Sequence, residues 1–264
     1  MTSDGAVRLK ISAGIARLTF DHERRLNAIN ARMWRELSEQ LLAVEEDPRA
    51  RILLIEGAGD RAFCAGNDIS EFETIRANPE AAAEYNAWQH LVADRLRALT
   101  KPSIASIRGH CLGAGLEVAL MCDLRLCSAD ARMGVPAVKL GLPYRAEDIV
   151  KLLDVIGLTA AREMVLLGRH YGAEDIRRLG LVHRMLPDHA ALRADTEDMA
   201  VELAANAPLS LAAAKVTFRE LARRDAPPDL ALCQAWADRC YASEDYAEGR
   251  KAKMEKRTPL FTGA

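Results

Sequence analysis

Residues 107–117 read Ile107-Arg108-Gly109-His110-Cys111-Leu112-Gly113-Ala114-Gly115-Leu116-Glu117. The stretch begins at the end of a predicted strand, residues 103–107 (SIASI), and runs into an apolar segment that reaches Met121. A second glycine-containing turn, Cys64-Ala65-Gly66-Asn67-Asp68, follows the short buried strand of residues 51–56 (RILLIE) and its closing Gly57-Ala58-Gly59. Small residues let another group come close to the backbone. Amides that open a helix point outward and favour negative charge. Two such turns facing each other make an oxyanion hole; the same spacing also fits two tight turns with no ligand. A dinucleotide-binding fingerprint does not fit, because the third glycine is missing and the element order is not an N-terminal βαβ unit.

Working outward, residues 7–11 (VRLKI) and 15–20 (IARLTF) alternate around Ser12-Ala13-Gly14 and predict a hairpin. Asn30 precedes an apolar-periodic run with Met33, Leu37, Leu41 and Val44 on one face, which predicts a helix. Another helix is predicted over residues 79–99, ended by Pro102, and a strand over 124–127. Short helices follow over 145–180, then a last strand at 182–186 (VHRML). From about Ala190 the pattern is helical to the end, broken at Pro208, Pro227 and Pro228. Strands alternating with helices, then helices alone, predict an α/β body over residues 1–195 and a helical region over 196–264.

The 264-residue chain is 50% hydrophobic and 28% charged, an ordinary globular balance that buries a core without disulfides. A net charge of −2 gives no drive toward nucleic acid or an anionic membrane. The N-terminal MTSDGAVRLKI has no apolar signal core, and the longest apolar stretches carry Glu117 or Asp123, so a soluble cytoplasmic protein is expected. None of the six cysteines forms a CxxC pair, which fits buried free thiols. A zinc site on Cys122 and Cys127 lacks further ligands in the sequence.

Glu117 lies in Leu116-Glu117-Val118-Ala119-Leu120-Met121, an otherwise apolar segment. A carboxylate buried there needs a partner or a raised pKa. Arg125, Arg108 or a backbone amide are candidate partners; a place just after the glycine turn also suits a catalytic acid/base.

These residues resemble the enoyl-CoA hydratase/isomerase family, the crotonase superfamily, along nearly the whole chain. Phe63-Cys64-Ala65-Gly66-Asn67-Asp68-Ile69 is similar to the family's first oxyanion motif, and residues 107–117 to the second. Leu26-Asn27-Ala28-Ile29 resembles the early segment that touches coenzyme A, and Glu255-Lys256-Arg257-Thr258-Pro259 the C-terminal signature. The resemblance implies a crotonase-like spiral of ββα units with a helical C-terminal trimerisation region, assembled as a homotrimer or hexamer. It implies an acyl-CoA substrate and no cofactor, coenzyme A being part of the substrate. By position, the amides of Asn67 and Ala114 would hold the thioester oxygen. Ala65, Asp68 and Ile69 would line the coenzyme A site, with Arg25 and Ala28 nearby, and Lys256 from a neighbouring subunit would meet a phosphate. Residues 70–90 would help to shape the acyl pocket.

Two departures narrow the chemistry. Family hydratases use two glutamates; Glu117 matches one, and Ala137 stands where the other belongs. Next, Gly141-Leu142-Pro143-Tyr144 resembles the methylmalonyl-CoA decarboxylase branch, where the matching tyrosine lies in the active site. Tyr144 and Arg145 would then orient a substrate carboxylate, and Glu147 or Asp148 is a candidate replacement acid. The expectation is therefore an acyl-CoA lyase, of hydratase or decarboxylase type. A double-bond isomerase using Glu117 alone and a non-catalytic acyl-CoA-binding protein are the alternatives.

Overall fold

The computed structural model describes residues 4–75 and 78–264. Met1–Ser3 of the N-terminus expected to carry no signal lie outside the described residues. So do Arg76 and Ala77, within the segment expected to shape the acyl pocket.

The hairpin forms where the alternation places it, with β1 (Ala6–Ser12) antiparallel to β2 (Ile15–Asp21). Ala13 and Gly14 both take positive φ, 50° and 81°, the turn whose twist matches a two-residue hairpin. Asn30 then caps α1 (Ala31–Glu46), its side chain accepting from Met33 N at 2.8 Å. The periodic face of α1 buries Met33, Leu37, Leu41 and Val44.

Beyond α1 a strand–strand–helix pattern recurs. The first pass is β3 (Ile52–Gly57), β4 (Ala62–Cys64) and the helices α2 (Phe72–Ile75) and α3 (Pro79–Ala98). The second is β5 (Ser103–Ile107), β6 (His110–Leu112) and α4 (Ala114–Met121). The third is β7 (Leu124–Ser128), β8 (Arg132–Gly134) and α5 (Ala146–Leu167). Then come α6 (Ala173–Leu179) and β9 (Arg184–Leu186). The first strand of each pass joins a six-stranded sheet, ordered β1-β2-β3-β5-β7-β9, and the second joins a separate parallel sheet, β4-β6-β8. Each pass thus lays one strand in each sheet and returns through a helix: the spiral of ββα units implied by the resemblance.

The three strands of the smaller sheet were not legible in the sequence. Each is only three residues long, too short for a period of two to register. The short helices expected over 145–180 have a local cause, since α5 is interrupted at Gly157, whose φ is 70°.

Side chains on the large sheet split by parity. Ile52, Leu54, Ile104 and Leu126 pack against α7 (His189–Ala205) through Leu192, Ala200 and Ala204. Leu53, Ile55, Ala105 and Ile107 face the main core instead, beneath α1 and α4. The expected division at residues 195 and 196 falls inside α7, a helix that covers one face of the sheet. The helices α8 (Pro208–Leu221), α9 (Leu230–Tyr241) and α10 (Glu244–Glu255) follow. Helix does not reach the end of the chain: Lys256 takes φ 54° and closes α10. The tail folds back, with Thr262 N and Gly263 N donating to Asp245 at 2.7 and 2.9 Å. Among the described residues no helix is long and apolar enough to cross a membrane.

Asn27 ties the first segment to the spiral. Its φ is 57°, its Oδ1 accepts from His22 N at 2.9 Å, and its Nδ2 donates to Ala58 O and Ala62 O at 2.9 and 2.8 Å. Asn27, His22 and Ala62 are buried and Ala58 half-buried, so Asn27→Ala strands a donor and two acceptors. Urea unfolding is expected to show a loss of about 1–3 kcal/mol or more; an unchanged midpoint would remove this role.

Candidate active site

The two glycine turns meet backbone to backbone. A Cβ on Gly66 would stand 3.1 Å from Leu112 O, and one on Gly113 would stand 4.0 Å from Gly66 Cα. At Gly115 there is no room for a Cβ, which would lie 2.7 Å from Cys64 Cβ and closer still to Cys64 O. The approach therefore requires glycine, and it brings the Asn67 and Ala114 turns to one cavity.

Asn67 and Ala114 both line that cavity. Ile29 pairs with Asn67 through its neighbours: Ile29 N donates to Gly66 O at 2.8 Å, and Asp68 N donates to Ile29 O at 2.9 Å. This ladder turns the Asn67 N–H to the opposite side. Ala114 opens α4, so its N–H has no acceptor within the helix. The Asn67 side chain is fixed as well. Its Oδ1 accepts from Trp34 Nε1, Tyr85 OH and Gln89 Nε2 at 3.0, 2.9 and 3.1 Å.

The cavity holds about 180 Å³. Ala65, Asn67, Ile69, Ala114, Glu117, Tyr144 and Arg145 line it. Ala137 also lines it, so the wall where the second acid belongs carries a methyl group. Four expected coenzyme A contacts are not brought there. Arg25 ends an exposed 3-10 turn, and Lys256 is exposed at the end of α10. Ala28 is buried, its carbonyl 2.9 Å from His22 Nδ1. Asp68 turns its carboxylate back to Ser70 N and Oγ, at 3.0 and 2.7 Å.

Glu117 is almost wholly buried, and its partner is none of those anticipated. Arg125 donates to the carbonyls of Leu120, Cys122 and Leu181, and Arg108 to those of Gly57 and Gly59. Glu117 Oε2 instead stands 3.5 Å from Lys151 Nζ. Sequence reading missed Lys151, although a lysine between Ile149-Val150 and Leu152-Leu153 is the same signal that drew attention to Glu117. Burial raises the Glu117 pKa above its ordinary value of 4.5; Lys151 offsets part of this and Asp148 adds to it. The Tyr144 phenol lies beside Glu117, with its hydroxyl buried and without a hydrogen bond of ordinary geometry. Burial, then the Glu117 charge, raise the Tyr144 pKa, so the hydroxyl keeps its proton.

The neighbouring acids differ. Burial alone would raise Asp148, but Lys151 at 2.8 Å and Arg145 at 2.9 Å hold it below the ordinary carboxylate value. Glu147 points to His90 Nε2 at 2.9 Å, on the far side of Arg145. Arg145 is already committed: Nε to Asp148, Nη2 to Gln89 Oε1 at 3.2 Å, and Nη1 against His90 at 3.0 Å. Buried Cys64 has its thiol pushed up to about 12 by desolvation, so beside Glu117 it is a neutral neighbour.

The enoyl-CoA hydratase/isomerase family model matches residues 10–264. Over 93% of this chain and 94% of the relative, the chain is 33% identical to the 2,3-dehydroadipyl-CoA hydratase of Escherichia coli (strain K12). It is 31% identical to the carnitinyl-CoA dehydratase of Shigella flexneri over 98% of both. The solved structure of an enoyl-CoA hydratase/carnithine racemase from Magnetospirillum magneticum superposes with a TM-score of 0.91, at 35% identity, covering 98% of this chain and 96% of that one. The chain belongs to the enoyl-CoA hydratase/isomerase family, within the crotonase superfamily. It is an enzyme of that family and acts on an acyl-CoA.

A raised carboxyl pKa has a signed consequence for stability. Below pH 4.5 Glu117 is protonated folded or unfolded and burial costs nothing; as pH climbs to the raised folded value, the unfolded chain ionises first and stability falls. Glutamine does not titrate. Glu117→Gln is therefore expected to gain in melting temperature over the parent between about pH 4 and pH 8. An equal difference at both ends would contradict burial of an uncharged acid.

Proposed function

We propose that this enzyme catalyses reversible hydration of an enoyl-CoA, with Glu117 as its one acid/base group and the Asn67 and Ala114 amides as the oxyanion hole. The observation that carries the reading is that a single cavity of about 180 Å³ joins both amide turns to the buried Glu117.

Water adds to the β carbon as Glu117 accepts one of its protons. The developing enolate oxygen is held by the two amides, and Glu117 returns the proton to the α carbon. Net, one water is added and the carboxylate is restored; dehydration is the reverse. Each preorganised donor contributes roughly 10²–10³ in rate. A carboxyl raised toward neutral pH suits both halves of the shuttle.

Decarboxylation fits less well, because Arg145, expected to orient the departing carboxylate with Tyr144, is already engaged by Asp148 and Gln89. Isomerisation would use the same Glu117 without water; the hydratase and dehydratase names of the relatives favour water chemistry. A pure binder has no use for a costly buried acid. On this reading Arg25, Ala28, Ala65, Asp68 and Ile69 flank the coenzyme A path, in a cytoplasmic enzyme without a separate cofactor. Lys256 reaches that path from a neighbouring subunit of a trimer or hexamer, built on the helical region. Exposed Phe218, Leu221 and Met254 on α8 and α10 support such an assembly.

The protein should be incubated with crotonyl-CoA, with longer 2-enoyl-CoAs and with methylmalonyl-CoA, following products by mass. Gain of one water by an enoyl-CoA is expected, and Glu117→Gln should lower kcat by roughly 10²–10⁴-fold with little change in KM. Loss of CO₂ from methylmalonyl-CoA, with no enoyl-CoA hydrated, would replace hydration by decarboxylation. Sedimentation at micromolar protein should show a trimer or hexamer; a monomer would remove the assembly.

A further inference from the structure

Lys151 is a buried cation that the hydration chemistry above leaves without a task. Its side chain is 8% exposed, it projects from α5, and it is not among the residues lining the acyl cavity. A buried ammonium must be paired, and Asp148 Oδ1 at 2.8 Å already pairs it. Yet a second carboxylate, Glu117, stands within 3.5 Å. The one ammonium thus stands between two buried acids rather than being paired with a single one.

We infer that Lys151 is the positioning residue for Glu117, its ammonium moving between Asp148 and Glu117 as the Glu117 carboxyl gives up and regains a proton. The inference rests on Glu117 being the acid/base of the reaction. Two features give it its form. First, Asp148 does not depend on Lys151 alone, because Arg145 Nε donates to its other oxygen at 2.9 Å. Lys151 can therefore turn toward Glu117 without stranding Asp148. Second, the far end of this chain is anchored. Arg145 donates to Gln89 Oε1, and Gln89 Nε2 donates to Asn67 Oδ1, the residue whose amide opens on the cavity. Hydrogen bonds and ion pairs thus form a belt from one side of the site to the other, running Asn67, Gln89, Arg145, Asp148, Lys151, Glu117.

The charges around Glu117 support a shared ammonium. Tyr144, Arg145, Asp148 and Lys151 face it from α5 and the segment before it, and neutral Cys64 from β4. Lys151 and Arg145 together balance Asp148 and Glu147, so protonated Glu117 sits among cancelling charges. When it ionises, the excess is one negative charge. The Lys151 ammonium and the Tyr144 hydroxyl beside Glu117 are the donors at hand to receive it. Lysine suits this better than arginine, being a compact charge on a flexible stem.

The test combines turnover with direct titration. In Lys151→Met, kcat on an enoyl-CoA that the parent hydrates is expected to fall by roughly tenfold or more, with KM within about twofold. The acid limb of its pH–rate profile should move up by roughly 1–3 units, and Lys151→Arg should restore most of that shift. In substrate-free protein, the ¹³C signal of the Glu117 carboxyl, assigned by its loss in Glu117→Gln, should titrate higher in Lys151→Met. It should titrate lower in Asp148→Asn, where the competing carboxylate is gone. Should Lys151→Met not fold, Asp148→Asn carries the test with the opposite sign. Titrations unchanged in both variants overturn the inference, even if kcat falls. Full activity of Glu117→Gln with shifted titrations would instead overturn the acid/base reading and leave the Lys151–Glu117 linkage standing.

Discussion

The site depends on one close approach, the contact between the Cys64–Gly66 backbone and the start of α4 at Gly113–Gly115. Gly115 sits where any side chain would overlap Cys64, and Gly66 faces Leu112 O across a gap a methyl group would crowd. Close packing of the two turns brings the Asn67 and Ala114 amides to one small cavity. Protein interiors do not yield readily to an added methyl group, so the glycines make this approach both possible and rigid. The smaller sheet enforces it: β4 and β6 pair in parallel, and each ends at one of the turns. Glu117 follows from the same geometry, one turn of helix beyond Ala114.

Around that fixed centre the chain solves a charge problem. A buried glutamate, aspartate and lysine and a half-buried arginine lie at or beside the cavity, and each buried charge is costly alone. They are affordable as a connected set. Asp148 binds both cations, Arg145 reaches Gln89, and Gln89 reaches the Asn67 side chain. Asn67 Oδ1 takes donors from Trp34 on α1 and from Tyr85 and Gln89 on α3, so three side chains from two helices hold the loop that carries one amide. Stability and site geometry are here the same set of bonds.

The absence of an acid at Ala137 acquires a physical meaning in this setting. The wall there is apolar, formed with Val135, Pro136 and Leu140, and does not donate or accept a proton through a side chain. Asp148 reaches the cavity but is held ionised by two cations, which suits a counter-charge better than a proton donor. On the proposed reading, proton transfer therefore falls on Glu117, whose carboxyl keeps a raised pKa in this setting.

Local sequence determined a good deal. Alternation in residues 7–20, the Asn30 cap, the buried strand read at 51–56 and the helix read over 79–99 are properties of short segments, legible because period and capping act within a few residues. The two glycine turns, Glu117 and the family motifs were legible in the same way. What tertiary structure decided is whatever required distant segments to meet. The strands β4, β6 and β8 are too short to carry a pattern and exist only because they pair with one another. Sequence offered Arg125 and Arg108 as partners for Glu117 because they are basic and nearby in the chain; the fold spends both on backbone carbonyls. It brings Lys151 instead, 34 residues away, because α5 packs across α4. Chain distance sets which residues form an element, and packing between elements sets which charges share a buried space.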